Sequence, residues 1–144
     1  MTSRFRVFLD SNVLISALIG DADAAPVILV DWLTGGHLGP ALTSKCNVEE
    51  VERNLAHKLP QAAPLWKAFL QRSGVTVVAC KKGRIRGINP KDASIVAAAV
   101  AAKATHFVSG NKRLIEEMKK TGVKAPLPVT PREMLNAILS LPKS

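Results

Sequence analysis

Four polar residues of this chain sit beside the ends of apolar runs. Asp10 follows "RFRVFL", Glu50 lies in the helical pattern after "ALT", Asp92 lies in "NPKD", and Asn111 follows "HFVSG". Brought to one edge, three carboxylates and a carboxamide would form a donor set made only of oxygen. Such donors suit Mg²⁺ or Mn²⁺, hard cations that keep much of their hydration. An ion of this kind can activate water and hold a phosphodiester for in-line attack. Each residue also has a plainer role. Asp10 or Ser11 can cap the helical pattern that follows, and Asn111 is likewise a good cap. Asp92, three residues after Asn89, has the place of a capping-box acid. Glu50 stands between Glu49 and Glu52, on what would be a solvated helix face.

For these residues to meet, the elements around them must share an orientation. "RFRVFL", "ALT", "VTVVAC", "HFVS" and "LPV" read as strands. Helical patterns lie between them: "SNVLISALI", "VILVDWLTG" with Pro26 in its first turn, Asn47 to Lys58, "APLWKAFLQRSG" ending at Gly74, Ala93 to Lys103, "KRLIEEMKKTG" and "TPREMLNAIL". Thr43 or Ser44 caps the third of these, and Pro60 breaks it. Asn89 and Pro90 open the helix from Ala93, which is apolar almost all round and therefore buried. Thr130 and Glu133 have capping-box spacing. In the helix from Asn47, Val48, Val51 and Leu55 form the stripe expected to be buried. Asn47, Glu50, Asn54 and His57 form a polar stripe that either faces water or borders a site. Strands alternating with helices predict an α/β fold with a mostly parallel sheet covered on both faces. In such sheets ligands bind beyond the carboxyl ends of the strands.

The chain has 144 residues, read as one domain over 1–144, and 47% of them are apolar, enough for a core. A net charge of +9 favours a polyanionic partner, nucleic acid first and an acidic protein second. Lys81, Lys82, Arg84 and Arg86 in "KKGRIRGI" either grip a phosphate backbone or form a solvated loop. Cys46 and Cys80, far apart in sequence, read as reduced thiols of a cytoplasmic protein. The first apolar run stops at Asp10, unlike a signal peptide, and "ASIVAAAVAA" is too short to span a bilayer, so no membrane association is expected. No GxGxxG, Walker-type loop, GxSxG elbow or zinc-like Cys/His spacing is present. His37, His57 and His106 are isolated, and His106 reads as a structural residue of a core strand.

"FLDSNVLISAL", "SKCNVEEVERNL" and "INPKDASIVAAAVAAKATHFVSGNKRL" together resemble the PIN-domain family, in the family's order and over nearly the whole chain. The resemblance implies a three-layer α/β/α sandwich and a metal-dependent ribonuclease using Mg²⁺ or Mn²⁺. Many small members are toxins of toxin–antitoxin pairs, which implies RNA as substrate, an antitoxin as partner and a homodimer. By position, Asp10 matches the first family acid and Asn12 the polar residue after it. Glu50 matches the helical acid, with Glu49 the fallback if the register slips. Asp92 matches the acid opening the alanine-rich helix, and Ser109 the small hydroxyl residue. Asn111 stands where a further acid is expected, and Arg113 where a polar or acidic residue is common. On this reading Asp10 and Asp92 are the chief metal ligands, and Glu50 holds metal or the attacking water. Asn12, Ser109 and Asn111 orient waters. Lys112 and Arg113 make the local field more positive, favouring a phosphate over a cation, and join the residues expected to bind nucleic acid. The rival implication is a PIN-like RNA-binding module that has lost some or all nuclease activity.

Overall fold

The computed structural model describes residues 5–141; Arg4, which opens the first apolar run, lies outside them. The first strand, β1, is Val7–Leu9. Asp10 ends it and caps α1, Ser11–Ile19, by accepting from the Ser11 N–H. Helix α2, Ala25–Leu33, has Pro26 in its first turn, where a missing N–H costs nothing. Gly39 then leads into β2, Ala41–Ser44. It has φ +119°, and a Cβ there would lie 1.8 Å from the Phe5 carbonyl oxygen, so only glycine fits.

Ser44 caps α3, Lys45–Lys58, in a reciprocal box with Asn47. Pro60 opens a 3₁₀ turn, Pro60–Ala62, which runs into α4, Ala63–Ser73. The edge strand β3 is Thr76–Val78, shorter than "VTVVAC" predicts. A long loop precedes α5, Pro90–Ala101, whose cap is Asn89. Strand β4 is His106–Val108, and Asn111 caps α6, Lys112–Lys120. Strand β5, Leu127–Val129, is followed by α7, Pro131–Leu139, opened by the expected Thr130–Glu133 box.

The sheet has order β3-β2-β1-β4-β5 and every pairing is parallel. Alternation along the strands divides the core in two. Val7, Leu9, Ala41 and Val108 pack with Leu14, Leu29, Val51, Trp66 and Met134 from α1 to α4 and α7. Phe8, Leu42 and Phe107 face the other way, onto Ile95, Ala99, Leu114 and Met118 of α5 and α6. The result is a three-layer α/β/α sandwich. The chain moves outward from β1 to β2 and β3, then crosses to β4 on the other flank of β1. That reversal opens a crevice at the carboxyl ends of β1 and β4. Among the described residues, no helix is long and apolar enough to cross a membrane.

One expectation is overturned. Cys46 and Cys80 are bonded to each other, with Cα atoms 5.5 Å apart, and are not separate thiols. The parallel pairing explains it. Ser44 is in register with Val78, and each cysteine lies two residues beyond its strand end.

Candidate active site

Asp10 occupies the crevice between β1 and β4 and is 5% exposed. Its carboxylate accepts from four donors. Oδ1 receives the Ser11 N–H at 2.8 Å and the Asn47 amide at 3.2 Å. Oδ2 receives the Ser109 hydroxyl at 2.8 Å and the Asn12 amide at 3.2 Å. Burial pushes the carboxyl up to about 6, against the opposing pull of the Ser109 and Ser11 hydrogen bonds. The negative charges of Glu50 and Asp92 add to the rise, so both acids lie within electrostatic reach of Asp10.

The loop after β4 closes the site. Ser109 is fully buried, and its hydroxyl oxygen also accepts from the Asn111 N–H at 3.0 Å. The Gly110 N–H donates to Asn12 Oδ1 at 2.8 Å, and a Cβ on Gly110 would crowd that oxygen at 3.3 Å. Asn111 Oδ1 accepts from the Leu114 N–H at 3.2 Å, so the residue is a cap as well as a neighbour of the site. Asp10, Asn12, Ser109 and Asn111 thus form one connected network.

The other expected residues stand around this network. Glu50 is half-buried on α3, and among the described residues it makes no hydrogen bond or ion pair. Glu49, its alternative, is exposed. Asp92, in the first turn of α5, bonds to Arg113 at 3.0 Å rather than closing a capping box. Lys81, Lys82, Arg84 and Arg86 are exposed on the loop between β3 and α5, and Lys112 is exposed at the start of α6. Arg113 is also paired with Glu117, one turn along α6.

The sequence pattern of the PIN domain matches residues 6–113. The chain belongs to the PIN domain family. The match takes in every strand except β5, which extends the same sheet beside β4. The fold is similar to that of VapBC2 from Rickettsia felis, solved bound to a DNA fragment from its promoter. That likeness has a TM-score of 0.64 at 18% identity, over 87% of this chain and 98% of the other. A PilT N-terminus domain protein from the archaeon Sulfolobus solfataricus is similar with a TM-score of 0.58 at 12% identity, over 96% and 98% of the two chains. No curated protein sequence matches this PIN domain.

Two residues of the site were not singled out by their sequence positions. Asn47 is fully buried and donates to Asp10 and, at 2.9 Å, to Ser11 Oγ. Its own Oδ1 accepts from the Ser44 hydroxyl. The polar stripe of α3 was the available signal, and Asn47 is the member that turns inward. Glu117 is the second. One oxygen accepts the Asn89 N–H at 3.1 Å and the other faces Arg113, and both hold its carboxyl below the usual range, the Asn89 bond most strongly.

Does this set fit a divalent cation? Its chemistry does: the donors are oxygens, and Asp10 feels two further negative charges. Yet among the described residues no three His, Cys, Asp or Glu side chains stand close enough to hold one ion together. The donor chemistry thus suits such a cation, although a guanidinium already stands beside Asp92.

Proposed function

We propose that this PIN domain is a divalent-cation-dependent ribonuclease and the toxin of a toxin–antitoxin pair. The observation that carries the reading is the carboxylate of Asp10, buried in the switch crevice, held by four donors and within reach of the charges of Glu50 and Asp92. A buried carboxyl raised above its ordinary value, in a crevice with two further acids in reach, marks a functional site beyond the needs of a helix cap.

On this reading Asp10 and Asp92 hold the cation, with Glu50 completing the set or holding the attacking water. Mg²⁺ or Mn²⁺, when bound, would supply an acidified water and positive charge for the phosphoryl oxygens. Ser109, Asn12 and Asn47 keep the Asp10 oxygens from rotating. Glu50, unpaired among the described residues, is the group available to accept a proton from water. Asn111 offers its amide N–H groups to a water or phosphate while its oxygen stays on the Leu114 N–H. Lys81, Lys82, Arg84, Arg86 and Lys112, all exposed, would bind RNA phosphates.

The partner proposed is an antitoxin protein, by similarity to VapBC2, and the chain is proposed to form a homodimer, as the family resemblance implies. The location proposed is cytoplasmic, where the Cys46–Cys80 pair would meet a reducing milieu.

The test is cleavage of a structured RNA by the wild type and Asp10→Asn, with Mg²⁺, with Mn²⁺ and with a chelator. Cation-dependent cleavage, lowered at least about 100-fold by Asp10→Asn, is the expected result. Cleavage that survives both the chelator and Asp10→Asn would overturn the reading. A second reading, an RNA-binding module with weakened catalysis, is favoured by Asn111 in place of an acid and by the Arg113–Asp92 ion pair. RNA binding that needs no metal, with no cleavage, would establish it instead.

A further inference from the structure

Arg113 sits in a fork between two carboxylates from two helices. Nη2 lies 3.0 Å from Asp92 Oδ2, and Nη1 bonds to Glu117 Oε2. Glu117 is held from behind, since its Oε1 accepts the Asn89 N–H at 3.1 Å. Asn89 is the cap of α5, so the Glu117–Asn89 bond ties α6 to the start of α5 without Arg113. The guanidinium is therefore not needed to dock the two helices. What it does is place a permanent positive charge on an acid of the site.

The two ends of the Asp92 pair are unequally exposed. The Arg113 side chain is 51% exposed, while Asp92 is 19% exposed. A half-solvated arginine leaves such a pair at little cost. A shielded carboxylate, whose negative charge is felt at Asp10, gains most from a cation of some kind. We infer that Arg113 is the resident counter-ion of Asp92 and competes with a divalent cation for that carboxylate. This rests on the cation-dependent reading above. A cation arriving at Asp92 either meets a like charge or displaces it. Once displaced, the guanidinium keeps Glu117, its neighbour one turn along α6. The apparent affinity for metal is thus set partly by a side chain that never touches it.

The experiment is calorimetric titration of Mn²⁺ alone into the metal-free full chain at fixed ionic strength. Wild type, Arg113→Met, Asp10→Asn and the double variant Arg113→Met/Asp92→Asn are compared. Methionine keeps an apolar stem and leaves the Glu117–Asn89 bond in place. Arg113→Met is expected to bind Mn²⁺ about three- to tenfold more tightly, a gain that Asp92→Asn removes. Affinity unchanged or weakened in Arg113→Met, with wild type binding and Asp10→Asn not, overturns the counter-ion role and leaves the cation reading standing. No binding by wild type or Arg113→Met overturns both. A second measurement needs no variant. In the wild type, saturating Mg²⁺ is expected to move the Arg113 Nε–Hε resonance, and a resonance that stays fixed while Mg²⁺ binds also overturns the inference.

Discussion

Asn47 donates its amide to Asp10 at 3.2 Å, joining residues that lie 37 positions apart. Both side chains are buried, and Asn47 also orients Ser11 and Ser44. Removing it strips one donor from a charged, shielded acceptor. Asn47→Ala is expected to lower unfolding free energy by about 1–3 kcal/mol, because the groups left behind lose partners without regaining water. Urea denaturation of the two proteins measures it.

Asn111→Asp keeps the helix cap, since either side chain can accept the Leu114 N–H. It adds one negative charge next to Ser109 and the Asp10 network. Mn²⁺ affinity is expected to rise about three- to tenfold, with little change in melting temperature in the absence of metal. Calorimetry and a thermal melt give the two readings.

The Cys46–Cys80 bond closes a loop with a sequence separation of 34. Opening it restores entropy to the unfolded chain, so reduction is expected to lower stability by up to about 4 kcal/mol. It also frees the basic loop that begins at Lys81 from the helix that carries Asn47 and Glu50. Chemical denaturation with and without reductant, with alkylation to count free thiols, checks the effect.

His106 is half-buried, edge-on to Phe5 and bonded through Nδ1 to the Thr105 hydroxyl. Burial lowers its pKa below the ordinary value of 6.5. The unfolded chain therefore takes up this proton first. The stability His106 contributes is present above about pH 6.5 and is lost as pH falls through the folded value. Asp10 acts in the opposite sense: its raised carboxyl makes the metal-free fold more stable as pH falls from about 6 toward 4. A comparison with His106→Gln separates the two. The variant is expected to lose less melting temperature than wild type between pH 7 and pH 5.5.

What could be read from the sequence was what is local. A cap needs only its own helix, so Asn89 and Thr130 were legible outright, and the caps at Asp10 and Ser44 to within one residue. The alternation of strands and helices carried the sandwich, because a parallel pair requires a crossover. The family resemblance put Asp10 and Ser109 at one site with Ser109 orienting water; the direct bond between them, across 99 positions, is seen only in the fold. Nothing in the sequence could pair Cys46 with Cys80, because the pairing depends on β2 lying in register with β3. The Asp92–Arg113 contact was hidden likewise, since it arises where α5 and α6 begin on the same edge.

The pairing of β1 with β4 also has a meaning in time. Val7 lies opposite His106, and Asp10 receives Ser109. Asp10, Asn47 and Glu50 leave the ribosome well before Asp92, Ser109 and Arg113 do. While the chain is still being made, then, Asp10 can meet Ser11 and Asn47 but not Ser109. The crevice comes into being only when β4 has emerged and slotted in beside β1. On the ribonuclease reading proposed above, the message and the ribosome producing it would in this way be spared until synthesis was nearly over.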